Sequence, residues 1–434
     1  MRDLPWWFWV AGVLLVLWAG FHAVLYGIRW SGEADLDRLH ADIQAAGSPV
    51  TLDDWIATLP PAHPAANRAL RDAAMGFVSV PILDGDKTID AWLYSASAAP
   101  LVVDRLVAMT SASRARLRAS LQDPEARWGI AWTLPRSATA ALPELPDVPK
   151  LLACRQAATS LLAAWRRTGD PEDLWACWEF SQRLGTDSII EAMIRIGVES
   201  QVQRAMLAAT RQGATPPAVR LTGTAPSWTE LVVWRRTLQG ERMTTLAMLV
   251  ASGVATRHAR APAWPGREPS HAFLPKDMAF WQQALFHREN DPHAPEIPFP
   301  TGRWAALAVS AIVLPNTLET WVTMAGHDAS QRAAAALIET LPLLPPGSDA
   351  TAAIAAIMTR RDLLDPGPDR WRLRLRALGP RSLRIAVDPD QPFPDGLHER
   401  MRDGWNGRPR PSRHPQPPIR TGGTGGSGFD LDLP

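Results

Sequence analysis

The segment HRENDPH at residues 287–293 concentrates side chains that suit metal binding or acid–base chemistry. His287, Glu289 and His293 belong to the residue types that ligate zinc or move protons in hydrolases. The two histidines can meet only if the chain folds back between them, and no third metal ligand follows at a recognisable spacing. An envelope hydrolase with its site near residues 287–293 is therefore one hypothesis, and a loop without catalytic function is the other.

Oxygen-bearing side chains also alternate along a short polar stretch: Asp84, Asp86, Thr88 and Asp90. The pattern loosely resembles a calcium-binding loop. An EF-hand requires glycine at its sixth position and glutamate at its twelfth, and these positions hold Ile89 and Ser95. A solvated acidic turn is the simpler interpretation, with a weak cation site as the alternative.

Residues 423–428 read GTGGSG and match G-x-G-x-x-G literally. A dinucleotide site needs a strand before this motif and a helix after it, and neither is predicted here. The sequence contains no H-E-x-x-H, G-x-S-x-G or Walker A motif. We therefore assign no catalytic, cofactor-binding or metal-binding residue from the sequence.

Composition excludes several classes of protein. The 45 basic and 44 acidic side chains leave a net charge near zero, so we expect no nucleic-acid partner. Two cysteines, Cys154 and Cys177, are too few for a fold built on disulfides. Twenty tryptophans predict large core side chains, although tryptophan is also enriched at binding hot spots.

Residues 6–28 contain no Asp, Glu, Lys or Arg. A helix of this length extends about 34 Å, enough to cross a hydrocarbon core of about 30 Å. Tryptophans near its start, with Tyr26 and Trp30 near its end, suit the two membrane interfaces. A cleaved signal peptide would have a shorter apolar core followed by a small-x-small site, so a retained anchor that contacts lipid is favoured. Flanking charges do not define its orientation, and by precedent for lone anchors with short tails we expect an exported bulk.

Residues 150–211 carry the clearest helical pattern. Apolar stripes alternate with signals that end one helix and start the next: Gly169 fits a C-terminal cap, Asp170 an N-cap and Pro171 a first helical position. Asp187 is the expected cap of a third helix. These are antiparallel helical hairpins, in which Cys154 and Cys177 lie about 10 Å apart along the axes and stay free thiols.

The remaining chain divides into further predicted elements. Helices are expected at residues 33–46, just after Asp53, across 65–80, and at 304–314, 328–341 and 349–360, and residues 228–257 are expected to form either a helix pair or one long helix. Proline richness predicts an irregular connection over residues 261–300. Leucines that alternate with arginines after residue 370 predict a β-hairpin with one basic face, as a solvated surface or an anion site.

Three segments resemble a known group of proteins. Residues 36–59, LDRLHADIQAAGSPVTLDDWIATL, resemble the start of the exported region in a family of uncharacterised single-pass bacterial envelope proteins. Residues 169–209 resemble that family's central helical hairpin, and the Leu-Pro-Asn at 314–316 is similar to a short motif before its C-terminal helix. Members often end in a pseudopilin-like segment with an R-Y-P-x-S-L motif, which this sequence lacks. The resemblance implies no activity.

The expected fold class is mainly α, with an anchor at residues 1–30 and a helical domain at 31–345. A small subdomain with the β-hairpin follows at 346–400, and a disordered Pro/Gly-rich tail at 401–434. The expected function is a membrane-tethered interaction or scaffold protein of the bacterial cell membrane, with a protein partner. The alternative is the envelope hydrolase near residues 287–293.

Overall fold

The computed structural model is mainly helical, with a small antiparallel sheet near the C-terminus, as the sequence predicts. It describes residues 6–61, 63–78, 80, 87–94, 99–129, 150–211, 231–251, 274–290, 317–345, 347–365, 372–380, 382–387 and 429–432. The chain forms two compact units, each assembled from separate segments. Unit 1 contains Met1–Pro60, Trp132–Pro146 and Leu238–Thr317, and unit 2 contains Pro61–Ala131, Asp147–Thr237 and Leu318–Pro434.

Unit 1 is organised by one long helix, α1 (Trp6–Ala45). No proline interrupts residues 6–48, and an ion pair of 2.7 Å between Arg29 and Glu33 bridges one turn just beyond the apolar segment. The predicted anchor and the predicted helix at 33–46 are therefore a single element. The helix ends where expected, since Gly47 adopts a φ of 72° that few other residues tolerate.

The apolar half of α1 is long and hydrophobic enough to cross a membrane, a criterion that signal sequences also meet. Its side chains from Val13 to Tyr26 are mostly exposed. Farther along the same helix, Leu39 and Ile43 are buried. One continuous helix thus changes from an exposed apolar rod into part of a packed core.

A second helix, α11 (Leu274–Asn290), packs along the buried half of α1. A Cβ atom on Gly32 would lie 2.8 Å from the backbone nitrogen of Lys276, so the missing side chain permits close approach. Eight residues later, His40 Nε2 lies 3.2 Å from Gln282 Oε1. Contacts advance in the same direction along both helices, so α11 runs parallel to α1.

The presence of α11 corrects the prediction of an irregular connection over residues 261–300. The prolines responsible for that prediction lie outside the helix, except Pro275. Pro275 occupies the first turn, where its missing N–H has no intrahelical partner to lose. Unit 1 also contains α2 (Leu52–Thr58), capped by Thr51 and anchored by buried Trp55.

Unit 2 is built around α7 (Leu151–Thr168), α8 (Pro171–Gln182) and α9 (Ile189–Arg211). Gly169 ends α7 with a φ of 76°, and the Asp170 side chain accepts a hydrogen bond from the Glu172 N–H at the start of α8. Both caps confirm the sequence interpretation. Asp187 does not cap α9, however.

That cap comes from the next residue, Ser188, whose hydroxyl accepts a hydrogen bond of 3.2 Å from the Glu191 N–H. Asp187 instead pairs with Arg236 at 2.6 Å. Sequence pattern could not distinguish the two because aspartate and serine are both strong N-cap residues.

Shorter helices complete the apolar core around the hairpins: α3 (Pro64–Met75), α4 (Lys87–Leu93), α5 (Leu101–Met109) and α6 (Ser111–Leu121). Asp173 on α8 accepts charged hydrogen bonds from Arg114 and Arg118 on α6, which fixes these two helices together. The helix α10 (Leu231–Ala251) is one long helix rather than a pair, and the chain passes along it from unit 2 to unit 1.

The Ala-rich region forms α12 (Thr317–Thr340), followed by a 3-10 turn (Leu341–Leu343), α13 (Ala350–Ile357) and α14 (Arg361–Leu364). The predicted hairpin is confirmed as β1 (Leu373–Gly379) and β2 (Ser382–Val387), with Leu375 opposite Ile385. A third strand, β3 (Phe429–Asp432), pairs antiparallel with β2. The tail prediction is therefore wrong for these four residues, whose apolar–acidic alternation has the two-residue period of a strand.

Candidate functional site

The most extensively hydrogen-bonded acid among the described residues is Glu199, near the middle of α9 and fully buried. Its Oε1 accepts hydrogen bonds of 2.8 Å from Arg195 and 2.9 Å from Gln182. Its Oε2 lies 2.8 Å from His327 Nε2 and 2.6 Å from Gln331 Nε2. Donors from α8, α9 and α12 thus converge on one carboxylate.

Burial by itself would raise the pKa of Glu199. The positive charge of Arg195 and the hydrogen bond from His327 outweigh burial and hold the pKa at about 2. Glu199 is consequently an anion across the physiological pH range. An ionised carboxylate can only accept hydrogen bonds, so every partner at this centre must donate to it.

This requirement assigns the proton on His327. Because Glu199 cannot donate, the Nε2 of the imidazole carries a hydrogen and directs it at the carboxylate. In the neutral ring, Nδ1 is then an acceptor, and it lies 3.3 Å from the Ser200 hydroxyl. Carboxylate, imidazole and serine hydroxyl form a connected series, and each imidazole nitrogen faces one of the two oxygen-bearing groups.

Ser200 stands on the accessible stripe of a helix whose other faces are buried. Accessible or half-accessible positions follow steps of three and four residues, Ile190, Met193, Gly197, Ser200 and Arg204, and Arg195 is half-accessible beside this stripe. A Cβ atom placed on Gly197 would meet no other atom within 4 Å among the described residues. Space therefore remains over α9 one turn before Ser200.

A cation lies one turn beyond the serine. The Arg204 Nε donates to the backbone oxygen of Ser200 over 3.3 Å, and the guanidinium lies 4.6 Å from the ring centre of Tyr94. These two contacts restrain an otherwise exposed side chain beside the Ser200 position. A serine, an imidazole base, an orienting carboxylate and a guanidinium therefore occupy one side of α9.

A second buried polar centre lies in unit 1 and includes one residue highlighted by the sequence. Arg242 Nε donates to Glu289 Oε1 over 2.7 Å, and both side chains are completely buried. Ser48 donates to the other carboxylate oxygen over 2.9 Å, and Arg242 also donates to the Pro49 carbonyl. Burial raises the pKa of Glu289, against the opposing charge of Arg242.

The histidines around Glu289 do not join this centre in the described part of the chain. His287 lies exposed on α11, while His293 falls outside the described residues. No three His, Cys, Asp or Glu side chains come together as metal ligands among the residues that the structure describes. Glu289 instead links α11 to the segment that follows α1.

The other sequence candidates have mixed outcomes. Thr88 and Asp90 lie in helix α4 rather than in the expected acidic turn. Ile89 and Trp92 of the same helix are buried in the core. Asp84 and Asp86, the glycines at 423–428 and the predicted helix at 304–314 all fall outside the described residues. The arginine face of the hairpin is present, with Arg374 and Arg376 exposed.

No known protein family, no curated protein and no solved structure matches this chain. The resemblance to an envelope family stays a prediction. Function has to be argued from the chemistry of the buried polar centres and from the exposed part of α1.

Sequence reasoning missed Ser200 and His327 because 127 positions separate them. One signal was available within each helix. Arg195 and Glu199 have the four-residue spacing of a helical ion pair, and His327 is a polar residue beside an Ala-rich core segment. Neither pattern shows that the two helices meet.

Proposed function

We propose that this chain is a membrane-tethered interaction or scaffold protein of the bacterial envelope. Residues 6–28 contact lipid, and the folded units lie on the exported side, where they bind a protein partner. The observation that supports this proposal is the continuity of α1, whose exposed apolar half runs without a break into the buried half around Leu39 and Ile43.

Continuity matters because it removes the flexible linker that usually separates an anchor from its domain. A helix of 40 residues is about 60 Å long, roughly twice the hydrocarbon thickness. Unit 1 is then held at a fixed distance from the membrane. Confinement of this kind raises the effective concentration of the domain for partners at the same surface.

Unit 2 offers one large side chain suited to a partner. Trp175 on α8 is 39% exposed, whereas Trp128, Trp165 and Trp178 are buried in the core. Exposed tryptophan is costly to leave in water and is enriched at binding hot spots. We expect Trp175 to contribute to the interaction surface.

The anchor is tested by the fate of the amino terminus. We expect full-length protein, with residues 1–28 intact by mass spectrometry, in membranes washed with alkaline carbonate. Replacing Leu15 and Leu17 by arginine places two charges in the apolar segment, at about 3 kcal/mol each, and should release the protein. Leu101→Arg, at a leucine of unit 2 that is even more exposed than Leu15 and Leu17, is the control and should stay in the membrane fraction. A processed amino terminus would identify a signal peptide and refute the anchor.

Orientation and partner binding have separate tests. Alkaline phosphatase fused after residue 400 should be active if the bulk is exported, and an inactive but well-expressed fusion would reverse the orientation.

A photo-crosslinking amino acid at position 175 should capture a defined protein in cells. The same amino acid at Arg361, an exposed position on α14, is the control for position, and equal capture at both sites would refute the role of Trp175.

The alternative, an envelope hydrolase near residues 287–293, finds little support in this geometry. Glu289 accepts hydrogen bonds from Arg242 and Ser48 inside a closed core. A general base needs access to its substrate.

A further inference from the structure

We propose that Ser200, His327 and Arg204 form a serine acyl-transfer site that hydrolyses carboxylic esters, with Glu199 as the residue that positions His327. The site lies entirely in unit 2. It goes beyond tethering and partner binding, and it does not depend on the orientation of α1.

Ser200, His327 and Glu199 contact one another in the order that an activated serine requires. Serine is a weak nucleophile unless an adjacent base removes its proton, and that base works best when a third group fixes its orientation. Here the Ser200 hydroxyl lies 3.3 Å from His327 Nδ1, and His327 Nε2 lies 2.8 Å from Glu199. The separation of 3.3 Å is compatible with an unliganded site, in which such hydrogen bonds are often long.

The Ser200 hydroxyl lies where a substrate can reach it. Glu199 is fully buried and fixes the His327 ring, whose Nδ1 faces the hydroxyl of Ser200, half-buried on the open stripe of α9, so a substrate or water that reaches the hydroxyl also meets Nδ1. Gly197 lies one turn before it and carries no side chain to obstruct the space above. Among the residues that the structure describes, none lies within 4 Å of a Cβ placed on Gly197, so none blocks an approach to the hydroxyl from that direction.

Negative charge develops on the ester carbonyl oxygen when the serine attacks. Ser200 lies in the middle of α9, where backbone N–H groups are already used by the helix. The charge on the reacting oxygen must therefore be stabilised by a side chain. Arg204, held by Tyr94 and by the Ser200 carbonyl, is the charged donor on the same stripe.

The reaction follows from these positions. Ser200 Oγ bonds to the ester carbonyl carbon while its proton moves to His327 Nδ1, and Arg204 stabilises the oxyanion. The bond to the alcohol oxygen then breaks, and His327 returns the proton to the departing alcohol. Water, deprotonated by His327, attacks the acyl-serine. The carboxylic acid leaves, and Ser200 regains a proton from His327, so no other reactant is needed.

The test uses full-length protein in mild detergent and a tagged fluorophosphonate, which forms a Ser Oγ–P bond and releases fluoride only at activated serines. We expect a single adduct at Ser200 by tandem mass spectrometry, and hydrolysis of p-nitrophenyl butyrate. Ser200→Ala should abolish both. Ser120→Ala is the matched control, because Ser120 is a half-buried helical serine bonded to a backbone carbonyl, and it should change neither.

Three further variants separate chemistry from folding. Gly197→Phe fills the open space without touching the connected groups, and we expect at least a tenfold loss of labelling with an unchanged circular dichroism spectrum. Arg204→Gln should lower kcat about 10²-fold or more, with little effect on KM. Glu199→Gln should lower kcat and alter its pH profile, which a purely structural role would not do.

Labelling at Ser200 that Gly197→Phe blocks would support the site. The proposal is overturned if the folded protein forms no adduct at Ser200. It is equally overturned if ester hydrolysis continues at the wild-type rate in Ser200→Ala. Because Ser200 and Gly197 lie on the surface stripe, their variants keep the test valid even if the buried variants misfold.

Discussion

Replacing Glu199 by glutamine removes one negative charge from the centre of unit 2 and takes away the carboxylate that Arg195 Nε donates to, while the hydrogen bond from Arg195 to Gln182 remains. The carboxyl has a pKa of about 2 in the folded chain, against an ordinary value of 4.5. Since each pKa unit corresponds to about 1.4 kcal/mol, the ionised form contributes roughly 3 kcal/mol to folding. Loss of one partner from a buried ion pair costs a similar amount, about 3–5 kcal/mol.

The direction of the pH dependence follows from the lowered pKa. Stabilisation by Glu199 is fully present above pH 4.5, where the carboxyl is ionised in both the folded and unfolded chain. It disappears as the pH falls toward 2, where the folded-state carboxyl is also protonated. We therefore expect the free energies of unfolding of wild type and Glu199→Gln to differ by about 3 kcal/mol at pH 7 and to converge near pH 2.

The measurement is urea unfolding in non-ionic detergent, followed by far-ultraviolet circular dichroism at pH 7, 4.5, 3 and 2. Glu179→Gln is the matched control. Glu179 on α8 also pairs with an arginine four residues away, Arg183 at the end of the same helix, but the Glu179 side chain is 43% exposed. An exposed pair contributes at most about 1 kcal/mol. A constant difference between wild type and Glu199→Gln across this pH range would refute the reasoning, as would equal effects of the two variants.

Three other predictions concern stability and reactivity. Arg242→Ala should lower the free energy of unfolding of unit 1 by about 3–5 kcal/mol, because its carboxylate partner is fully buried; a loss below about 1 kcal/mol in urea unfolding would contradict this. Gly169→Ala should lower the free energy of unfolding by about 1–2 kcal/mol, the cost of a left-handed backbone, whereas Gly197→Ala, at an exposed helical position, should raise it by up to about 1 kcal/mol; melting temperatures that shift in the same direction would contradict this. Cys154 and Cys177 are free and buried, and burial raises the pKa of Cys154 to about 12 and that of Cys177 as well, so neither should react with a thiol reagent before unfolding.

Much of the fold was accessible because its signals are local. The Gly169 and Asp170 caps, the Pro171 start of α8 and the alternation in β1 each depend on interactions within a few residues. Such signals identify helices and strands without knowledge of their neighbours. The prediction that Cys154 and Cys177 are free thiols is confirmed.

The incorrect predictions relied on how many prolines and glycines a segment contains and not on where in the segment they lie. The density of prolines in residues 261–300 concealed α11, although the one proline inside that helix lies in its first turn. Glycines and prolines of the tail concealed β3, which is four residues long. The interleaved units could not be predicted at all, since each joins segments that are far apart in the sequence.

The same limit explains why the candidate site was missed. Each part has a plain local interpretation: a serine on a helix, an ion pair at four-residue spacing, a histidine before an Ala-rich segment. Only the packing of α9 against α12 brings Ser200 to His327. The sequence directed attention to Glu289 because histidines lie near it in the chain, whereas the structure pairs that carboxylate with Arg242.

Glu199 and Glu289 are both buried, but the hydrogen bonds around them serve different purposes. A buried ion pair adds little net stability, since apolar residues of similar volume would serve the core as well. For Glu289 a structural reason exists, because it accepts hydrogen bonds from Ser48, just after α1, and from Arg242, which also donates to the Pro49 carbonyl. Around Glu199 the hydrogen bonds instead lead outward, through His327 to a hydroxyl at the surface stripe. Fold stability alone does not explain why hydrogen bonds connect a buried anion to an accessible serine. Ionisable groups with shifted pKa values concentrate at functional sites.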